Sequence, residues 1–320
     1  MKLESLTVVG LFAGVGGIER GFQNAGFEPL LANEIDTFAS LTYRENHSHK
    51  LITADIADID ASDMPSNLTV LAGGFPCQPF SVAGYRKGFD DDRGNVFWEI
   101  MRLVDLSNPQ VVFLENVKNL LGHDGGNTYR VIEAALINAG YSVTHRVLNA
   151  KTHGGIPQNR ERIYVVAFRD REVLQRFSWP AEIPMKATLA DFVDFENKVD
   201  DKYYYTEKTP FYDELIESVR SRETVYQWRR HYVRENKSGD CPTLTANMGM
   251  GGHNVPIVLT KFGIRKLTPG ECFNLMGFPD IKFPQKIAES RLYKQAGNSV
   301  VVPVIERIAR NIKQALEQRP

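Results

Sequence analysis

The chain has 320 residues, 42% of them hydrophobic and 24% charged, enough to bury the core of one large domain or two unequal ones. A net charge of −1 excludes a nucleic-acid binder of the globally basic kind. The three cysteines, Cys77, Cys241 and Cys272, form no paired framework, MKLESLTVVG lacks the basic-then-apolar order of a signal peptide, and no apolar run approaches the ~20 residues of a membrane span. A protein of a reducing, cytoplasmic compartment with no membrane partner is expected.

In chain order, short apolar runs ending in small or acidic residues recur at Leu6–Phe12, Pro29–Asn33, Leu51–Asp55, Leu68–Gly73, Val111–Glu115 and Ser142–Leu148. Helical patterns lie between several of them. Residues 16–25 end at Gly26; residues 95–106 put Val96, Phe97, Ile100, Leu103 and Val104 on one face; residues 128–139 end at Gly140. Strands alternating with helices predict an α/β fold with a mostly parallel, doubly wound, Rossmann-like sheet, whose ligands bind beyond the carboxyl ends of the strands. After the β-rich run Ile163–Phe168 the alternation breaks. Residues 180–262 carry five prolines and the cluster MGMGG, which reads as a smaller, irregular β-rich domain with at most one helix, over 209–222. LTPGECFNLMGFP (267–279) opens a short helix at Thr268 and Pro269, and residues 298–316 predict a last amphipathic helix that packs back on the first domain. The expected division is 1–185 plus 296–320, then 186–264, with 265–295 as a hinge or linking segment.

LFAGVGGIERGF follows the first strand and opens a helix, so its glycines allow close backbone approach to a ligand at a positive helix end. A dinucleotide fingerprint wants glycine three places after Gly16, but Glu19 stands there, which argues against a pyrophosphate. Glu34 ends the second strand, at the spacing where a carboxylate meets ribose hydroxyls, and Asp55 ends the third, placed to meet an adenine amino group. Glycine, acid and acid at successive strand ends suit a phosphate-free adenosine ligand such as S-adenosyl-L-methionine better than NAD. Tight-turn glycines and solvated acids are the plain alternative.

Within GGFPCQPFS (73–81), flanking glycines and prolines hold Cys77 in a stiff loop at a strand end, where a thiolate can be presented to a substrate. With no second cysteine at CxxC spacing a zinc or redox pair is not expected; the chemical role left is nucleophile, while Cys241 and Cys272 lack such framing and read as buried. FLENV brings Glu115 and Asn116 to the end of the fifth strand, beside the Cys77 loop, where a partly protonated carboxyl would serve as a general acid. QNRERIY (158–164) alternates so that Gln158, Arg160 and Arg162 share one face, able to pair with Glu115, a substrate carbonyl or a phosphate, or to form only an edge-strand charge stripe. Residues 219–237 hold Arg220, Arg222, Arg229, Arg230, Arg234 and Lys237 among Tyr226, Trp228 and Tyr232, the mixture a nucleic-acid face needs, although a solvated surface has the same look.

The ordered series FAGVGG (12–17), NE (33–34), AD (54–55), GGFPCQPFS (73–81), ENV (115–117), QNRERIY (158–164), RKLTPGECFNLMGFP (265–279) and GNSV (297–300) resembles the bacterial DNA (cytosine-5)-methyltransferases over nearly the whole chain. The resemblance implies a methyltransferase sheet with a target-recognition domain, S-adenosyl-L-methionine as donor, double-stranded DNA as partner, no metal, and a monomer. It implies a modification enzyme of a restriction-modification system; whether a restriction endonuclease accompanies it is left open by the sequence, and direct contact with one is not expected. The cofactor contacts carry over to Phe12, Ala13, Gly14, Val15, Gly16, Gly17, Glu34, Ile35, Asp55, Ile56, Pro76, Asn298, Ser299 and Val300. Cys77 would attack C6 of a flipped cytosine, Glu115 would engage N3 and Arg162 O2, with Arg160 counted among the catalytic residues. Residues 81–95 resemble the mobile loop that closes over DNA, with Ser81, Arg86, Lys87 and Arg93 toward the duplex; Ala83 stands where some members carry a serine that fills the flipped base's space. Gln158, Arg229, Arg230, Arg234, Lys237 and Thr243 complete the expected DNA contacts. The eukaryotic tRNA-modifying branch usually shows PPCQ where this chain has FPCQ, and its CFT element is not found here; an inactive DNA-binding module is the other alternative.

Overall fold

The six apolar runs and Ile163–Phe168 supply the strands of one seven-stranded sheet in a computed structural model that describes residues 5–75, 96–250 and 254–318. Pro76, Cys77, Ser81, Ala83, Arg86, Lys87 and Arg93 lie outside the described residues. The strands are β1 (Thr7–Leu11), β2 (Glu28–Asn33), β3 (Lys50–Ile52), β4 (Val70–Gly74), β5 (Val111–Val117), β6 (Ser142–Asn149) and, after the two-residue β7 (Gln158–Asn159), β8 (Glu161–Phe168). Their order is β3-β2-β1-β4-β5-β8-β6, parallel from β3 through β5, with β8 antiparallel to β5. β5 is buried along Val111–Asn116, as a strand covered on both faces must be, which is why it reads as a continuous apolar run rather than an alternation.

Helices α1 (Gly17–Asn24), α2 (Thr37–Asn46), α3 (Val96–Ser107) and α4 (Asn127–Asn138) supply the covering layers. In α3 the side chains of Phe97, Ile100, Met101, Leu103 and Val104 are buried, the face the sequence periodicity predicts; each is worth about 1.5–3 kcal/mol when removed from water. Phe22 of α1 meets Phe27 and Phe113 edge to face at 5.1 and 5.3 Å, locking α1 onto β5.

The chain divides into two compact units: Met1–Leu148, Glu161–Ala181 and Val304–Pro320 form the first, Asn149–Arg160 and Glu182–Pro303 the second. These limits differ from the boundaries read from sequence. Residues 149–160 and 265–303 group with the second unit, because β7 pairs with β11 (Cys241–Pro242) and residues 263–266 form a strand of the second unit's own sheet. That sheet has the order β10-β9-β12-β13, from β9 (Tyr226–Trp228), β10 (Val233–Glu235), β12 (Ile257–Thr260) and β13 (Gly263–Lys266). Among the second unit's helices are α5 (Ala150–Gly154), α7 (Tyr212–Ser218), α8 (Pro269–Asn274) and α9 (Glu289–Asn298), while α6 (Arg171–Arg176) belongs to the first. Thr268 and Glu271 cap α8 reciprocally, and Arg265, fully buried, grips the Glu271 carboxylate at 2.8 and 2.7 Å and the Asp194 carbonyl at 2.7 Å. Residues 265–278 are thus packed into the second unit, whereas 279–291 are exposed or half-buried.

At the C-terminal end the sequence pattern suggests one helix from 298, whereas the structure has α9 and α10 (Val302–Glu317), broken between them by Ser299–Val301. From Val304 onward α10 belongs to the first unit, where Asn24 of α1 donates to Glu306 and Arg176 of α6 to the Ala315 carbonyl.

Candidate active site

Strand order reverses at β1, with β2 and β3 on one side and β4 and β5 on the other. The carboxyl ends of β1 and β4 are therefore the switch point at which such sheets bind ligands. The chain leaves β1 through Phe12 at φ 53, Gly14 at φ 56 and Gly16 at φ 88, the last being the N-cap of α1. Phe12 holds a left-handed conformation without glycine's freedom, a strain that clusters at binding sites. Among the described residues a Cβ on Gly14 would meet nothing within 4 Å.

Glu34, just past β2, accepts main-chain hydrogen bonds from Gly14 at 2.7 Å and Asp36 at 2.7 Å, which ties the glycine loop to the second strand. Burial raises its pKa above the usual carboxylate range, and those two N–H groups pull it back down. Ile35 beside it is 61% exposed, an apolar surface left uncovered next to a held carboxylate. Asn33 donates to the Ala54 carbonyl at 2.9 Å, holding the turn into Asp55, whose own carboxylate caps Ala57. A hydrogen-bond acceptor, an exposed apolar side chain and a second acceptor at successive strand ends can receive the hydroxyl and amino donors and the apolar face of an adenosine.

The loop also has a partner that the sequence reading missed. His47, after α2, lies 3.1 Å through Nε2 from the Val15 carbonyl; because a carbonyl only accepts, Nε2 carries the proton. Burial lowers the His47 pKa to about 4, so the ring is neutral at pH 7. Tyr43 and His49 are hydrogen-bonded beside it. HSH in ENHSHK was the available signal, but nothing local says that it reaches back 32 residues.

On the other side of the switch point, β4 and β5 run in parallel register with Gly74 opposite Glu115. A Cβ on Gly74 would lie 3.2 Å from Glu115 Oε2, so a larger residue would crowd that carboxylate. Asn116 donates to the Phe75 carbonyl at 2.9 Å, holding the last described residue before the Cys77 segment against β5. Arg162 enters from β8, its Nε 3.1 Å from Glu115 Oε1, with both side chains largely but not wholly buried. An acid and a guanidinium are thus fixed together at the strand end from which GGFPCQPFS departs.

Residues 6–314 match the family described as C-5 cytosine-specific DNA methylase. The chain belongs to this family. Type II methyltransferase M.Bsp6I of Bacillus sp. (strain RFL6) is 56% identical over 314 residues, spanning 97% of this chain and 99% of that protein. M.HhaI of Haemophilus parahaemolyticus is 35% identical over 331 residues, spanning 100% and 98% of the two chains. In fold the methylase is similar to the Dnmt2 methyltransferase of S. pombe, with a TM-score of 0.73 at 20% identity, covering 98% of this chain and 100% of that one. The methylase is a DNA (cytosine-5)-methyltransferase: it acts on DNA and draws on a methyl donor.

Two of the methylase's expected site residues are placed differently from the sequence reading. Gln158, Arg160 and Arg162 do not share one strand face, because the strand breaks at Arg160 and the two arginines belong to different compact units. Gln158 is fully buried and not open to DNA: its Nε2 donates to the Leu275 carbonyl at 2.7 Å and its Oε1 accepts from Leu244 at 3.1 Å. Arg160 is buried as well, its guanidinium donating to the carbonyls of Leu244 at 2.6 Å, Gly297 at 3.3 Å and Ser299 at 2.6 Å. It braces the second unit's loops rather than facing a substrate.

In the same unit Asn298 is exposed at the end of α9, while Ser299 and Val300 are buried. Thr243, half-buried, donates to the Asn159 carbonyl at 2.6 Å. Arg229, Arg230, Arg234 and Lys237 are exposed on and after the β9–β10 hairpin, whose turn holds Arg230 at φ 64 and whose Trp228, next to that turn, stacks on Phe211 at 4.5 Å. Cys241 and Cys272 are fully buried and burial pushes both thiols up, as the sequence reading expected. Among the described residues no group of His, Cys, Asp and Glu is arranged to hold a metal, and no helix is long and apolar enough to cross a membrane.

Proposed function

We propose that the methylase uses S-adenosylmethionine to methylate C5 of a flipped cytosine in a short specific duplex DNA sequence, through a covalent bond from Cys77 to C6. The observation that carries this reading is the Arg162–Glu115 pair at 3.1 Å, on the strand aligned residue for residue with the one that runs into GGFPCQPFS. When bound, S-adenosylmethionine supplies an electrophilic methyl group on a sulfonium sulfur. Glu34, Ile35, Asp55, Ile56 and the Phe12–Gly17 loop would hold its adenosine and amino-acid parts, and Pro76, Asn298, Ser299 and Val300 come in on the family resemblance.

C5 of cytosine is too electron-poor to attack an electrophile. Addition of the Cys77 thiolate to C6 makes C5 the nucleophilic end of an enamine. Glu115 meets the charge that develops at N3 and Arg162 the charge at O2, both already in position, so little reorganisation is spent during the reaction. Once C5 carries the methyl group, loss of the C5 proton re-forms the C5–C6 double bond and expels Cys77. A stacked base offers neither C5 nor C6 at the needed angle, which is why flipping precedes addition.

The first unit supports cofactor binding and chemistry, and target recognition is assigned to residues 186–264. There Arg229, Arg230, Arg234, Lys237 and Thr243 would meet the duplex, as would Ser81, Arg86, Lys87 and Arg93 of the 81–95 segment. The enzyme works as a cytoplasmic monomer and serves as the modification half of a restriction-modification system, consistent with relatives named type II methyltransferases.

The test is incubation with labelled S-adenosylmethionine and either duplex DNA or tRNA. Label in duplex DNA alone is expected, and bisulfite sequencing of DNA from expressing cells then gives the target site. Label in tRNA alone, or in neither, would overturn the reading.

A further inference from the structure

Glu19 stands at the third position of α1, immediately after the glycine loop, and is 0% exposed. Among the described residues neither carboxylate oxygen has a hydrogen-bond partner. Its Oε1 lies 1.7 Å from where a Cβ on Gly10 would be, so the carboxyl is wedged onto the backbone of β1 directly beneath the loop that leaves that strand. A buried ionised carboxylate without partners is among the costliest groups a fold can hold, whereas a neutral carboxylic acid is tolerable.

We propose that Glu19 is a positioning residue for cofactor binding: as a neutral carboxylic acid it keeps the glycine loop and Glu34 in the binding arrangement, and ionising it loosens both. This rests on the cofactor reading given above. Among the described residues no cation is counted among the influences on this carboxyl. Glu34, just past β2, adds its charge, and from α2 it faces Tyr43, whose own ionisation its charge opposes; Ser40 on α2 is buried with no partner for its hydroxyl among the described residues. His47 and His49, which follow α2, are neutral at pH 7 because burial lowers both, and Arg20, next to Glu19 in sequence, acts on His47. Burial raises the Glu19 pKa to about 8, with its own main-chain N–H pulling down and the Glu34 charge adding to the rise. Below pH 8 the protein therefore carries a proton at Glu19 and keeps Glu34 as the acceptor. Above it a second negative charge appears under the loop, and Glu34 loses its hold on Gly14.

The test is the ratio of the cofactor's Kd at pH 9 to that at pH 7, measured calorimetrically without DNA. One linked proton with a pKa near 8 makes this ratio about tenfold in the wild type. The α-ammonium of S-adenosylmethionine titrates in the same range, so the readout is the difference between proteins. Glu19→Gln and Glu19→Met should each lower the ratio about tenfold relative to wild type. A folded variant that keeps the wild-type ratio would overturn the proposal. Adenosine, which lacks the ammonium, gives a measurement on the wild type alone: weaker binding at pH 9 is expected, and a flat profile would overturn the proposal without any variant. A wild type that binds neither ligand at pH 7 would instead overturn the cofactor reading.

Discussion

Arg162 in the first unit and Arg160 in the second are separated by one residue and carry the same side chain, yet they do opposite work. Arg160 spends its guanidinium on three main-chain carbonyls, those of Leu244, Gly297 and Ser299. Arg162 gives Nε to Glu115 and one Nη to its neighbour's carbonyl, and keeps part of its surface open. The contrast extends to the units themselves. The second is built from strands of two to four residues and long irregular connections, whose carbonyls lack ladder partners and are satisfied by buried Gln158, Arg160 and Arg265. The first satisfies its main chain through a seven-stranded sheet, and at its strand ends Glu34 and Asp55 hold turn N–H groups while Arg162 pairs with Glu115. Of the two arginines, the one paired with a carboxylate and partly open, not the one spent on three main-chain carbonyls, lies at the candidate active site.

Substitutions can break this comparison. The largest effect is expected from Cys77→Ser, which should lower methyl transfer by more than about 10³-fold while duplex binding in a gel-shift titration persists; retained turnover would refute the nucleophile. Glu115→Gln should slow single-turnover transfer by about 10²–10⁴-fold with little change in cofactor affinity. The same substitution at the two arginines separates scaffold from site. Arg160→Met should cost about 3–5 kcal/mol of unfolding free energy in urea titration, by leaving buried carbonyls unpaired. Arg162→Met should cost less stability and about 10²-fold in the chemical step. Equal stability losses would erase the distinction. A smaller effect is expected from Arg229 and Arg230 replaced together by alanine: the slope of log K against log salt should fall by about 2 if both meet phosphates.

Glu19 adds a pH signature to the first unit. Its folded pKa of about 8 lies above the ordinary 4.5, so the folded state holds a proton that the unfolded chain has lost. Its stabilising contribution is complete below pH 4.5 and lost as pH rises toward about 8. Thermal unfolding of the cofactor-free protein should show this decline, and Glu19→Gln should flatten it.

Much of the first unit was legible in the sequence because its signals are local. Apolar runs, helix-terminating Gly26 and Gly140, and acids at strand ends each mark their own position, and those marks led to Glu34, Asp55 and Glu115. The readings that failed needed distant partners. Strict alternation over QNRER suggested one strand, but the Arg160 environment is made by residues 244, 297 and 299, which no window around it contains. Glu19 drew notice only as the residue that spoils a dinucleotide fingerprint, since its burial is decided by Gly10 and α2. Likewise 265–295 read as a link because the Arg265–Glu271 pair, six residues apart, closes against Asp194, 71 residues away.

The central claim, that Cys77 attacks a cytosine held by Glu115 and Arg162, is tested most directly by a duplex carrying 5-fluorocytosine at the target position. After methyl transfer C5 bears fluorine where a proton must leave, so Cys77 cannot be expelled. Mass spectrometry of the digested complex should find the base on the peptide containing Cys77, and only when S-adenosylmethionine is present. Normal methylation of unmodified duplex with no such adduct, or an adduct on another residue, would contradict the account.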